Sequence, residues 1–173
     1  MRASRAAIVA AFVLAPALVH AQAAKPALDD AAIVGIFDAA NGWDISTGGL
    51  AATKATRQDV KDFGKMLASV HASVQKQGRD LAGKLGVKPT PVAKDFALLL
   101  DYTATMKKLN GLSGAAFDKA FLEHEVAYHK AVIDAVTNTF LPAIKNAELK
   151  KFVEGVAPAF KQHMDQAQSL LNK

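Results

Sequence analysis

Histidines and carboxylates must carry whatever metal or acid–base chemistry this chain performs, because the sequence contains no cysteine. That excludes thiolate ligands, disulfides and a lipidated cysteine. Glu125 and His129 stand four residues apart, so on a helix their side chains project from successive turns of one face and can chelate one ion. His71 lies four residues after Leu67, and His163 three after Phe160, which places both against apolar stripes. Asp44 sits beside Trp43 on the first long apolar segment. Imidazole with carboxylate suits Fe, Cu, Zn or Ni. The expected metal set is therefore His71, Glu125, His129 and His163, with Asp44 as a fifth partner. The same residues admit a plainer reading, in which they are satisfied polar groups that fix helix register. In that reading Glu125–His129 is a local pair contributing ~0.2–0.5 kcal/mol.

Other chemistries lack their signatures. No Glu-x-x-His occurs, so the paired motif of dinuclear iron bundles is missing. No serine lies in a Gly-x-Ser-x-Gly elbow, and neither Gly48-Gly49 nor Gly111/Gly114 matches a nucleotide-binding fingerprint. His124 is assigned to the surface or rim. The formal charge of +5 is spread along the chain, with Lys107-Lys108 and Lys150-Lys151 as the adjacent basic pairs. A nucleic-acid surface needs clustering on one face, so no nucleic-acid partner is expected.

The elements that must position these residues are helical. Apolar residues make up 51% of the chain but aromatics only 7%, and Ala, Leu and Lys favour helices. Helix one is expected from about Asp30 to Lys54, with Gly48-Gly49 allowing close approach of a neighbour. Helix two follows a Thr56/Asp59 capping signal and runs to Leu85, ended by Gly86. Its stripe of Val60, Phe63, Leu67, Val70, Val74, Leu81 and Leu85 is the clearest amphipathic pattern in the chain. Thr90-Pro91 is expected to open helix three, which stops at Asn110-Gly111. Ser113 opens helix four, Pro142 and Asn146 mark the next turn, and Pro158 falls inside helix five, where a kink is expected. The fold class is all-α: an up-and-down bundle of about five helices over residues 30–173.

Residue counting tests the site. Glu125 lies about 17 residues before the turn at 142–145 and His163 about 19 after it, so the two share a depth to within ~3 Å. His71, counted from residue 55, comes level with Asp38, so pairing with Asp44 needs stagger or tilt.

The N-terminus reads as a cleavable signal peptide over residues 1–21. Arg2 and Arg5 precede an uncharged run of 14 residues, Ala6 to Val19, and Val19-His20-Ala21 supplies the small-x-small type exit. That run is short of the ~20 residues a membrane-spanning helix needs. A linker with Pro26 follows over residues 22–29. The expected product is periplasmic or secreted, with no integral membrane segment in its mature form. Its protein partner is open.

Four ordered segments carry a resemblance. They are Gly42-Trp43-Asp44 with Leu50-Ala51, Val60-Lys61-Asp62-Phe63 with Met66 and His71, Gly114 to Asp118 with His129, and Leu149-Lys150-Lys151-Phe152 with Pro158 and His163. The chain resembles the ferritin-like domain-of-unknown-function family 4142, found in exported bacterial proteins. The resemblance implies a ferritin-like helical bundle and puts His71, His129 and His163 on motif histidines. Asp44 stands where that family usually has Glu, Glu125 where it often has Gln, Phe121 for a usual Tyr, and Gly78 for a usual Leu. The family has no settled activity, so the resemblance implies a fold and a residue set. The functional expectation is a non-enzymatic exported bundle that binds a transition-metal ion. Its rival is a structural or stress-related interaction protein of the cell envelope.

Overall fold

Residues 28–173 are described by a computed structural model. The expected signal peptide and most of the linker lie outside them. Five helices, and no strand, occur among the described residues: α1 (Asp30–Lys54), α2 (Gln58–Leu85), α3 (Ala97–Gly111), α4 (Gly114–Ala135) and α5 (Ala147–Leu171). A π-helical turn, Val136–Phe140, and a last helical turn, Leu141–Ala143, extend α4.

The core explains the topology. One apolar cluster gathers Ala51, Val60, Phe63, Phe117, Phe121 and Leu170. A second gathers Ile33, Phe37, Val136, Phe140, Leu149 and Phe160. Helices α1 and α5 run from the second cluster to the first, and α2 and α4 run back, so α3 is the return stroke that makes the five alternate in direction. It is also peripheral, with Leu109 its one buried residue. The packed body is therefore α1 against α2 and α4 against α5, with α3 laid over the outside.

Two glycines set the register of the first pair. A Cβ on Gly48 would stand 2.7 Å from the Gly64 carbonyl oxygen, and a Cβ on Gly64 equally close to the Gly48 carbonyl oxygen. Side chains on either would push the two backbones apart, so close contact depends on both. The expected role of Gly48 holds, whereas a Cβ on Gly49 would meet nothing within 4 Å.

The helix ends correct two expectations. The Thr56/Asp59 capping box does not form. Instead Asp118 of α4 accepts from the Thr56 and Arg57 backbone N–H groups and from the Thr56 hydroxyl, while Asp59 pairs with Arg57. Helix α3 begins at Ala97 and not at Thr90, because Thr90 is recruited elsewhere. Its N–H donates to the Ala31 carbonyl at 3.0 Å, and its own carbonyl lies where a Cβ on Gly35 would be, 1.8 Å from it. Ser113 opens α4 as expected, as its N-cap residue, without a side-chain cap bond. Other signals hold: Asn146 caps α5 through the Glu148 and Leu149 N–H groups, and Gly86 ends α2 in the left-handed conformation at φ 66°. Helix α5 runs on through Pro158.

Candidate metal centre

Each helix of the packed body passes from one apolar cluster to the other, and at that crossing each carries its polar residues. On α1 Asp44 falls midway between Phe37 and Ala51. On α2 His71 falls between Leu67 and Val74, and on α5 His163 falls between Phe160 and Ala167. On α4 Glu125 and His129 fall between Leu122 and Val136. The five expected ligands therefore converge in one layer, and all are buried, with Glu125 at 0% and His129 at 1% exposure.

The three imidazoles ring a common point. Their centroids are 5.1 Å (His71–His163), 5.3 Å (His129–His163) and 5.7 Å (His71–His129) apart. His71, His129 and His163 each offer a ring nitrogen lying within 4.8 Å of the other two, and Asp44, Glu125 and His129 form a second such set. His71 Nε2 and His163 Nδ1 are 3.2 Å apart. Two nitrogens bound to one tetrahedral ion at ~2.0–2.1 Å stand about 3.3 Å apart. That pair already has a chelating separation.

Orienting groups fix which atoms face inward. The Asn41 amide donates through Nδ2 to the Phe37 carbonyl at 2.8 Å, leaving Oδ1 to accept from His71 Nδ1–H at 2.9 Å. His71 thereby presents Nε2 as a lone pair. His129 Nδ1 donates to the Glu125 backbone carbonyl at 3.0 Å, which turns Nε2 inward. The Thr47 hydroxyl donates to Glu125 Oε1 at 3.0 Å. Backbone carbonyls and side chains that hold a ligating imidazole in one tautomer are the usual outer shell of a metal site. Three buried atoms then have no hydrogen-bond partner among the protein's own groups: Asp44 Oδ1, Glu125 Oε2 and His129 Nε2.

The family model described as "Domain of unknown function (DUF4142)" matches residues 15–170. The chain belongs to this family. No curated protein and no solved structure matches it. For this DUF4142 protein, then, the chemistry has to be read from the site.

Burial and neighbouring charge split the titrations of the metal-free cluster. Burial, with His129 and His163 alongside, lowers His71 to about 3. Burial and His129 lower His163 to about 4. Burial pulls His129 the same way, but the carboxylates of Glu125 and Asp44 outweigh it and raise it to about 9. Burial would raise Glu125, yet His129 and the Thr47 hydroxyl hold it below the usual range. Asp44 is held well above its ordinary value, chiefly by burial. At neutral pH the metal-free cluster thus holds a Glu125 carboxylate against a His129 imidazolium, 3.4 Å apart, with His71 and His163 neutral.

A pH dependence follows for the metal-free protein. His71 and His163 stay neutral in the folded chain where the unfolded chain protonates, so their contribution is intact above about pH 6.5 and declines as pH falls below it. His129 works in the opposite sense: its contribution is complete below about pH 6.5 and is lost as pH rises through about 9. Asp44 is raised as well, so its contribution is complete below about pH 3.9 and declines as pH rises through its folded value. Denaturation midpoints measured with chelator present are expected to peak near neutrality and fall on both sides. A flat profile from about pH 5 to 9 would contradict this assignment.

Sequence reasoning missed Asn41 and Thr47. Their signal was available: Asn41, Asp44 and Thr47 recur every third residue, along one face of α1. Counting placed His71 level with Asp38, but the glycine contact brings it level with Asn41. Asp44, one turn further on, still reaches His71 Nδ1 at 3.5 Å. His124 stands apart, half-buried, with Nδ1 3.3 Å from the Thr105 hydroxyl, as its assignment to the rim anticipated.

Proposed function

We propose that this protein binds one transition-metal ion between its four packed helices. His71, His129 and His163 supply nitrogen, and Glu125 and Asp44 supply oxygen. One observation carries the reading: three buried polar atoms on three candidate ligands, Asp44 Oδ1, Glu125 Oε2 and His129 Nε2, lack a hydrogen-bond partner within one cluster. Leaving such groups unpaired costs about 1–3 kcal/mol each. A cation among them would satisfy all three at once. The donor set is too rich in nitrogen for Mg²⁺ or Ca²⁺ and suits Fe, Cu or Zn. We read the protein as an exported, periplasmic binding bundle, on the basis of its N-terminal charge and apolar run.

The test is a titration of the full chain, freed of metal by chelator, with Zn²⁺, Cu²⁺ and Fe²⁺ in turn. Saturation at one equivalent is expected for at least one of them, and its loss in His163→Ala. A folded protein that takes up none of the three supports the rival reading, in which the buried polar layer only fixes helix register.

A further inference from the structure

A cavity of about 20 Å³ lies directly against the metal cluster. Its inner wall is formed by Asn41, Asp44, His71 and His129. Its remaining walls are side-chain carbon, among them Ile36, Ala40, Leu98, Val132, Val136 and Phe140. We propose that this cavity admits a neutral, apolar molecule of one or two heavy atoms to the bound ion. The ion in this inference rests on the metal reading above, but the cavity does not.

Size and chemistry both select the guest. A volume of about 10–15 Å³ already accommodates one water-sized molecule, so this space holds one small guest and nothing larger. A confined water needs two to four polar partners. Once an ion engages Asp44 and His129, the outer walls offer none. No lysine or arginine lines the space, and its carbon walls offer an anion no hydrogen-bond donor. Apolar cavities stay dry and take apolar guests, and the volume here limits the guest to one or two heavy atoms.

The surrounding backbone agrees. Val136 and Phe140, the two buried residues of the π-helical turn, both line the cavity. π-turns are uncommon and occur frequently at functional sites. Ile36, Ala40, Leu98, Val132 and Ala135 are only half-buried, so the wall between cavity and solvent is one side chain thick. It joins α1, the first turn of α3 and the end of α4.

Xenon tests the cavity with Asp44 and His129 engaged by an ion. In Zn²⁺-loaded protein under xenon pressure, one xenon site bounded by Val132 and Phe140 is expected, seen by diffraction or by xenon NMR. Val132→Phe should abolish it, with Ala135→Leu as the alternative filling variant if the first fails to fold. Access to the ion is then tested on protein loaded with Fe²⁺, using nitric oxide as the neutral probe and azide as the anion. The nitrosyl EPR signal should form with nitric oxide and weaken roughly tenfold or more in apparent affinity when the cavity is filled. Azide should leave the spectrum unchanged. Absence of xenon from the wild-type cavity overturns the proposal, as does nitric oxide binding that ignores Val132→Phe or azide binding in preference to nitric oxide. A chain that takes xenon but holds no ion refutes the metal reading and leaves the cavity site standing.

Discussion

His129→Ala is expected to destabilise the metal-free protein by about 3–5 kcal/mol, the largest single-residue effect in the buried layer. The substitution strands Glu125, a fully buried carboxylate whose remaining hydrogen bond comes from the Thr47 hydroxyl. Removing one partner of a buried ion pair leaves the desolvation cost of the other uncompensated, and that cost exceeds the value of the pair itself. The companion experiment uses this asymmetry. Changing Glu125 and His129 together to leucine removes both charges, and should return most of the lost stability. Urea denaturation with chelator present measures both variants. A His129→Ala protein within about 1 kcal/mol of wild type would mean that Glu125 is not charged in the folded chain.

Metal addition has the second large effect. An ion that binds only the folded state stabilises it by about 4 kcal/mol when its free concentration is a thousandfold above Kd. For a domain of this size each kcal/mol raises the melting temperature by about 2–4 °C. A rise of roughly 8–16 °C is therefore expected on adding the preferred ion, reversed by chelator and absent in His163→Ala. His163 suits this control because it makes no ion pair with either carboxylate of the layer, so its truncation harms the metal-free protein less than His129→Ala does. A melting temperature that ignores Zn²⁺, Cu²⁺ and Fe²⁺ alike would remove the ion from the account.

The bundle was legible because periodicity and punctuation agree along most of the chain. The stripe from Val60 to Leu85 with its closing Gly86 marks α2, and Asn146 marks the start of α5. The start of α3 was not legible. Thr90-Pro91 is a favourable local start, but Thr90 is held by Ala31 and Gly35 on another helix, a contact that no local pattern encodes. The cap on α2 misled for the same reason, since Asp118 arrives from 62 residues away to bind Thr56.

The ligands were legible one by one, because each is a polar residue interrupting an apolar stripe. Their convergence depends on register, and register is set by the backbone contact of Gly48 with Gly64. The diglycine hinted at close approach without naming its partner. Asn41 and Thr47 escaped notice because an amide and a hydroxyl on a stripe look like tolerated polar residues until their partners are seen. They hold His71 and Glu125 in place, which is a role defined only by the fold. The cavity was the least legible feature: its walls are ordinary core residues, and only their failure to meet leaves the space.

The claim that three imidazoles from α2, α4 and α5 bind one ion is tested most directly by X-ray absorption at the metal edge of the loaded, full-length protein. The expected result is one ion per chain, with outer-shell scattering from three imidazole rings and with oxygen completing the first shell. An ion held by oxygen alone, with no imidazole scattering, would contradict it.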